Sequence, residues 1–215
     1  MSFSTIRLLK VEKMFTRLRD NWVYGGFLAA LMLLALTPVL ASGWSVALLL
    51  MWLQLPAYML HQYEEHDDDR FRRFVNATIG NGEDVLTRFD TFVINIAGVW
   101  GVDAISFWLA TRVSLGLGLI AVYLSLVNSV GHCVQAVALR SYNPGLVTAI
   151  FLFIPLGGAT LWVLAGTNQV TLADHLIGLA VAIAIHAGIL VRVATRKREL
   201  RLGAMGSLHI AGQAQ

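Results

Sequence analysis

In the stretch LHQYEEHDDDR, residues 60 to 70, His61, Glu64, Glu65 and His66 fall within six positions. Neutral imidazole and carboxylate are the standard protein ligands for zinc, iron or manganese, so this density of both types poses a metal-site question. On a helix, His61, Glu64, Glu65 and Asp68 follow i, i+3, i+4, i+7 spacing. That puts the first histidine and both glutamates within an arc of about 100° and turns His66 away from it. Two later stretches carry polar stripes of the same period: Ser125, Asn128, His132 and Gln135, and then His175, Gly178, Ala182 and His186. Expected metal ligands are therefore His61, Glu64, Glu65, His132 and His186. One glutamate of the pair Glu64 and Glu65 is left as general base, and zinc or iron, as one or two ions, is the expected cofactor. Asn95, Asn128, Gln135, Arg140, Asn143 and Asp103 are the expected supporting or substrate-contacting groups.

The elements that must position these side chains are membrane spans. Hydrophobic residues make up 57% of the 215 and charged residues 13%, and the mean hydropathy is +0.67, outside the range of ordinary water-soluble domains. A hydrocarbon core of about 30 Å takes about 20 apolar helical residues. Six such windows occur: Trp22 to Ala41, Trp44 to Leu60, Phe92 to Ala110, Leu115 to Leu139, Leu146 to Ala165 and Leu172 to Val191. The second is short and gains length if its helix continues through the HQYEEH stretch. The expected fold is an all-α bundle of six transmembrane helices. Residues 1–21 are expected as a basic segment, either an interfacial amphipathic helix or a solvated tail, 22–192 as the bundle, and 193–215 as a basic, disordered tail.

The net charge of +3 is too small to argue for nucleic acid. The placement of the cations says more. They precede the first span, lie between the second and third and between the fourth and fifth, and follow the sixth, whereas the other connections hold only Arg112. The positive-inside rule then puts both termini in the cytoplasm. The basic start, the apolar run and VLAS at Val39 to Ser42 also mimic a cleaved signal peptide, but the run is near full membrane width.

Distance from the flanking arginines gives the depth of each polar residue. His61 is nine residues before Arg70, Asn95 seven after Arg88, His132 eight before Arg140, and His186 six before Arg192. At 1.5 Å per residue each lies about 9 to 14 Å in, so four helices bring a polar side chain to one layer of the cytoplasmic half. His175 lies about 16 Å farther along its helix than His186 and belongs, with Asp174, to the outer surface or a packing contact. The run His66 to Asp69 reads as a solvated helix end. RSYNPGLVTA at Arg140 to Ala149 reads as a Pro-Gly turn opening the fifth span, either plain or serving as an anion-binding corner. Asp103 is open between proton relay, substrate contact and paired packing. The lone Cys133 excludes an internal disulfide and reads as packing.

At His61, Gln62, Tyr63, Glu64 and Glu65 the chain resembles the family of small bacterial membrane proteins named for an HXXEE motif. Asn128, His132, Arg140, Asn143, Pro144 and Gly145 match the later part of that family's pattern. The resemblance covers roughly residues 22 to 192 and implies a shared site in a bacterial inner membrane, with no activity attached. Membrane-embedded prenyl-protein endoproteases are similar only in general logic, since Arg70 stands one residue beyond where their Glu-Glu pair wants it.

The leading functional expectation is a metal-dependent membrane enzyme, a hydrolase by preference, acting on a lipid or other apolar substrate from the cytoplasmic leaflet. Three alternatives stand beside it. They are a di-iron hydroxylase or desaturase, a proton- or metal-coupled transporter with Glu64 and Glu65 as carriers, and a scaffold whose polar layer fixes packing. Homo-oligomerisation is left open.

Overall fold

The computed structural model describes the backbone of residues 3 to 213, with side chains from Lys10 to Ala204. Among these residues every regular element is helical. Helix α1 spans Phe3–Leu40, α2 Val46–Trp52, α3 Gln54–His66, α4 Arg70–Thr78, α5 Arg88–Asn95 and α6 Val102–Arg112. Then come α7 over Leu119–Leu139, the single turn α8 over Leu146–Thr148, α9 over Ile154–Ala165 and α10 over Leu172–Gln213. Two π-helical segments, Ile96–Gly101 and Ala149–Phe153, join α5 to α6 and α8 to α9 without a break.

Five helical stretches are long and apolar enough to cross a membrane: Lys10–Leu40, Arg88–Arg112, Leu115–Leu139, Leu146–Ala165 and Leu172–Ala204. The expected count of six is corrected to five, because the second window is divided between α2 and α3 at Leu53. Pro56 supplies the reason. It has no N–H to give the carbonyl four residues back, that of Trp52, and its ring crowds that carbonyl. In the first turn of a new helix the missing donor costs nothing, so α3 starts at Gln54. The bilayer-facing character of the outer surface is plain in its side chains. Leu28, Val137, Phe151 and Trp162 are 66%, 78%, 75% and 82% exposed, a pattern that belongs in lipid and not in water.

Three apolar clusters stack along the bundle. One joins Met51, Leu119, Val122 and Leu164. The middle one joins Tyr58, Val99, Leu124 and Phe153. The third, at the basic end, joins Val75, Val85, Leu86 and Val193. At that end the ring of Phe15 on α1 meets Phe89 and Phe92, and Arg192 on α10 bonds Asp90 at 3.0 Å. The N-terminal part of α1 and the C-terminal part of α10 therefore flank the same end of the bundle. Helix α10 continues through the basic stretch to Gln213, where the sequence suggested a disordered tail. Phe3 and Ile6, which the amphipathic reading of residues 3 to 19 invoked, lie outside the described side chains.

The acidic run after α3 is a turn built on charge pairing. Asp68 and Asp69 adopt φ of 52° and 59°, a left-handed conformation Asp tolerates better than most residues. Arg73 bonds Asp68 at 2.7 Å, and Arg72 bridges Asp69 and Asp84, each at 2.7 Å. The Arg73 guanidinium holds the Asp68 carboxyl below the usual carboxylate range.

Candidate metal centre

Helix α3 delivers His61 and Glu65 one turn apart, α7 delivers His132, and the Asn143–Gly145 turn closes over them. One ligand atom from each of His61, Glu65 and His132 lies within 4.8 Å of the others, and all three residues are buried. The Glu65 carboxylate spans the pair, with Oε2 at 3.6 Å from His61 Nε2 and Oε1 at 3.5 Å from His132 Nε2. Those separations exceed a good N–H···O bond. Two ligands about 2.0 to 2.2 Å from a common ion at the tetrahedral angle stand roughly 3.3 to 3.6 Å apart, close to the spacing of each imidazole nitrogen from its nearer carboxylate oxygen.

The protons on both imidazoles are set by outer partners. His132 Nδ1 donates to Asn143 Oδ1 at 2.6 Å, and Asn143 Nδ2 donates to the His132 carbonyl at 2.9 Å, which fixes the amide orientation. The Thr148 hydroxyl donates to Glu64 Oε2 at 2.5 Å. Its oxygen, 2.7 Å from His61 Nδ1, must then accept that ring's proton. Each ring thus spends Nδ1–H outward and turns a bare Nε2 lone pair toward Glu65. His61 Nε2 is buried with no hydrogen-bond partner. The converging Nε2 lone pairs of His61 and His132, beside a carboxylate whose one close imidazole contact is His66 at 3.0 Å, suit a cation, and the outward Nδ1 bonds are the usual support of metal-ligating histidines. The fit to a divalent cation rests on this donor geometry.

The turn at 143 to 145 is part of the site, not a plain connection. Asn143 is fully buried. Gly145 has φ of 98°, and a Cβ there would stand 2.7 Å from His132 Cε1 and 2.8 Å from His61 Cε1. Only glycine meets both demands. Phe153, in the second π-helical segment, lays its ring 4.4 Å from that of His61.

The remaining expected site residues are distributed as follows. Glu64 is not among the three converging groups. It accepts from Tyr142 Oη at 2.8 Å, Val147 N at 3.1 Å, and Thr148 N and Oγ1 at 2.7 and 2.5 Å. It therefore caps the start of α8 from another helix and anchors the His61 relay. Burial and the Glu64 contact push the Tyr142 hydroxyl above its ordinary range, so it stays a donor. His186 donates Nδ1–H to its own Ala182 carbonyl at 2.8 Å and lines a cavity beside the site together with Asn95, Asn128 and Gln135. Asn95 accepts from Gln62 at 2.8 Å, and Trp100 Nε1 donates to Gln62, so the second motif position ties α3 to the first π-helical segment. Arg140 is exposed in a left-handed C-cap. Asp103 is 1% exposed with both oxygens unpartnered. His175 bonds Tyr123 at 2.9 Å, and Asp174 bonds Thr171.

His66 is the residue the sequence reading misplaced. The backbone leaves the α-helix at Asp67 (φ −53°, ψ 131°). The ring, 6% exposed, approaches Glu65 Oε2 with Nε2 at 3.0 Å and packs on Trp22 and Phe71. Thr148 was also missed. Its one signal was a hydroxyl in the first turn of the helix that the Pro-Gly turn opens.

The family model described as a protein of unknown function with an HXXEE motif matches residues 52–160. That half of the chain holds His61, Glu64, Glu65, His132, Asn143 and Thr148 but not His186. No curated protein and no solved structure matches the chain. Since the match spans half of the sequence and includes the motif and the three converging side chains, this protein belongs to the HXXEE family.

Proposed function

We propose that the protein is a membrane-embedded, metal-dependent enzyme, a hydrolase by preference, acting on a lipid or other apolar substrate. The observation that carries the reading is the presentation of two proton-free Nε2 atoms, from His61 and His132, to one buried carboxylate, Glu65. Three protein ligands with room for one more is the arrangement of catalytic sites, whereas purely structural zinc sites close all four positions. When bound, a divalent cation would supply Lewis acidity and lower the pKa of water. Three ligand atoms suit one ion better than two, which favours hydrolysis over di-iron oxygen chemistry.

The chain's own residues divide the remaining work. Thr148 and Asn143 hold the imidazole tautomers. Glu64, engaged by four donors, is a positioning residue and is not free as a base. His66 bonds Glu65 through Nε2 and keeps an unpartnered, buried Nδ1, the remaining acceptor beside the site for a proton. A cavity of about 450 Å³ begins at Glu65 and His132 and is lined mainly by apolar side chains of α5, α7 and α10, within the size range of small-molecule sites. Its rim residues Val130, Val134 and Leu190 are 61%, 61% and 66% exposed, so it faces the acyl chains and admits substrate sideways.

Elemental analysis of purified wild type, Glu65→Ala and His132→Ala tests the reading. One ion per chain is expected in wild type and less than a tenth of that in either variant, with zinc pointing to hydrolysis and iron to oxidation. Equal, substoichiometric metal in all three would sink it.

A further inference from the structure

A second cavity, of about 200 Å³, lies on the other side of His66 at the basic end of the bundle, bounded by Arg19, Asp20, Trp22, Asp69 and Arg88. His66 and Thr91 line both this polar vestibule and the apolar cavity, and the buried, unpartnered Nδ1 belongs to that shared ring. The vestibule's charges are balanced. Arg19 bonds Asp20 at 2.9 Å, and Arg88 approaches Asp69 at 3.4 Å and Asp20 at 3.8 Å. Asp68 and Asp69, also on its wall, are held from outside by Arg73 and Arg72, and Arg72 in turn bonds Asp84. Four guanidinium groups, Arg19, Arg72, Arg73 and Arg88, thus match four carboxylates, Asp20, Asp68, Asp69 and Asp84, with an indole beside them. A head group of one sign would leave an opposing charge uncompensated at close range, whereas a zwitterion can exchange with both pairs, its anionic part at the arginines and its ammonium at the carboxylates and Trp22.

We infer that the protein binds a single-chain zwitterionic amphiphile across both compartments, with its head group in the Arg19–Asp69–Arg88 vestibule and its chain in the apolar cavity between α7 and α10. The junction between polar and apolar parts then lies beside His66 and Glu65. This assignment of substrate class rests on the reading of the His61–Glu65–His132 cluster as the reaction centre.

Photolabelling in lipid nanodiscs provides the test, with lysophosphatidylcholine carrying a diazirine in its chain as probe and the metal content of each sample measured in parallel. Labelling is expected on the peptides holding Val134 and Ile189, competed by unlabelled lysophosphatidylcholine. It should fall at least tenfold in Arg88→Gln and in Ile189→Trp, with metal content unchanged in both. If Ile189→Trp does not fold, Val134→Trp fills the same cavity from the facing helix. Labels confined to outward residues such as Phe151 and Trp162, or indifferent to these substitutions, would overturn the inference. Equal competition by a fatty acid or a monoacylglycerol would overturn its zwitterionic part. Specific labelling of a chain that holds no metal would leave the amphiphile site standing and remove the enzymatic reading. Stoichiometric metal with unspecific labelling would do the reverse.

Discussion

Thr148 shows how the site is governed by residues that would never touch a metal. Its hydroxyl is both the acceptor for His61 Nδ1 and a donor to Glu64, so one oxygen sets a tautomer on α3 and ties α3 to α8. Thr148→Val keeps the shape and removes the relay. Metal affinity should fall about 10- to 100-fold, as for other outer-shell partners, and a competitive chelator titration reads the change. A drop smaller than threefold would mean that His61 keeps its tautomer unaided. Gly145 acts by being small. Gly145→Ala places a methyl within 3 Å of both imidazoles and strains a left-handed backbone, at a cost of about 1 to 3 kcal/mol for the backbone alone. A lower melting temperature together with lost metal is expected; retention of both would show that the turn can move aside.

At the scale of elements, the site depends on where helices stop being regular. Pro56 ends α2 early and lets α3 start afresh, and α3 carries His61, Gln62, Glu64 and Glu65 in the two turns that follow. Pro56→Ala would return the missing N–H to the Trp52 carbonyl and favour one continuous helix from Val46 to His66. His61 and Glu65 would then shift against α7. We expect unchanged or slightly higher helix content by circular dichroism and at least tenfold weaker metal binding; unaltered binding would show that the break does not aim the ligands. The π-helical segments act in the same way. One follows Asn95 and the other follows Thr148, and such segments recur at functional sites because the extra residue re-aims side chains. Neither leaves a trace in hydropathy, since both sit inside uninterrupted apolar runs.

At the scale of the whole molecule, five helical stretches of the described residues are long and apolar enough to cross a membrane, whereas α2 and α3 are each too short to do so alone. The N-terminal part of α1 and the C-terminal part of α10 meet the same end of the bundle, at Phe89 and Asp90. In a Cys133→Ser background, cysteines placed at Lys10 and Arg201 should both react with an impermeant maleimide from the same side of sealed vesicles. Reaction from opposite sides would show that the two ends do not share one face of the membrane. The exposed rim of the cavity between α7 and α10 belongs to this scale too, since a lateral opening makes sense only in a bilayer.

The sequence by itself determined the apolar surroundings and the helical class, because hydropathy and 3.6-residue periodicity are one-dimensional properties of the chain. It also placed His61, Glu65 and His132 among its five expected ligands, together with Glu64 and His186, on residue type and spacing. Tertiary structure alone decided which neighbours share the work: adjacent glutamates look equivalent in the motif, yet a rotation of about 100° per residue sends Glu65 to the imidazoles and Glu64 to the start of α8. It likewise turned His66 inward and left His186 on the cavity wall. The physical reason is that a lone pair's direction and a proton's location depend on partners far along the chain, Thr148 for His61 and Asn143 for His132, and spacing within one helix carries no record of them.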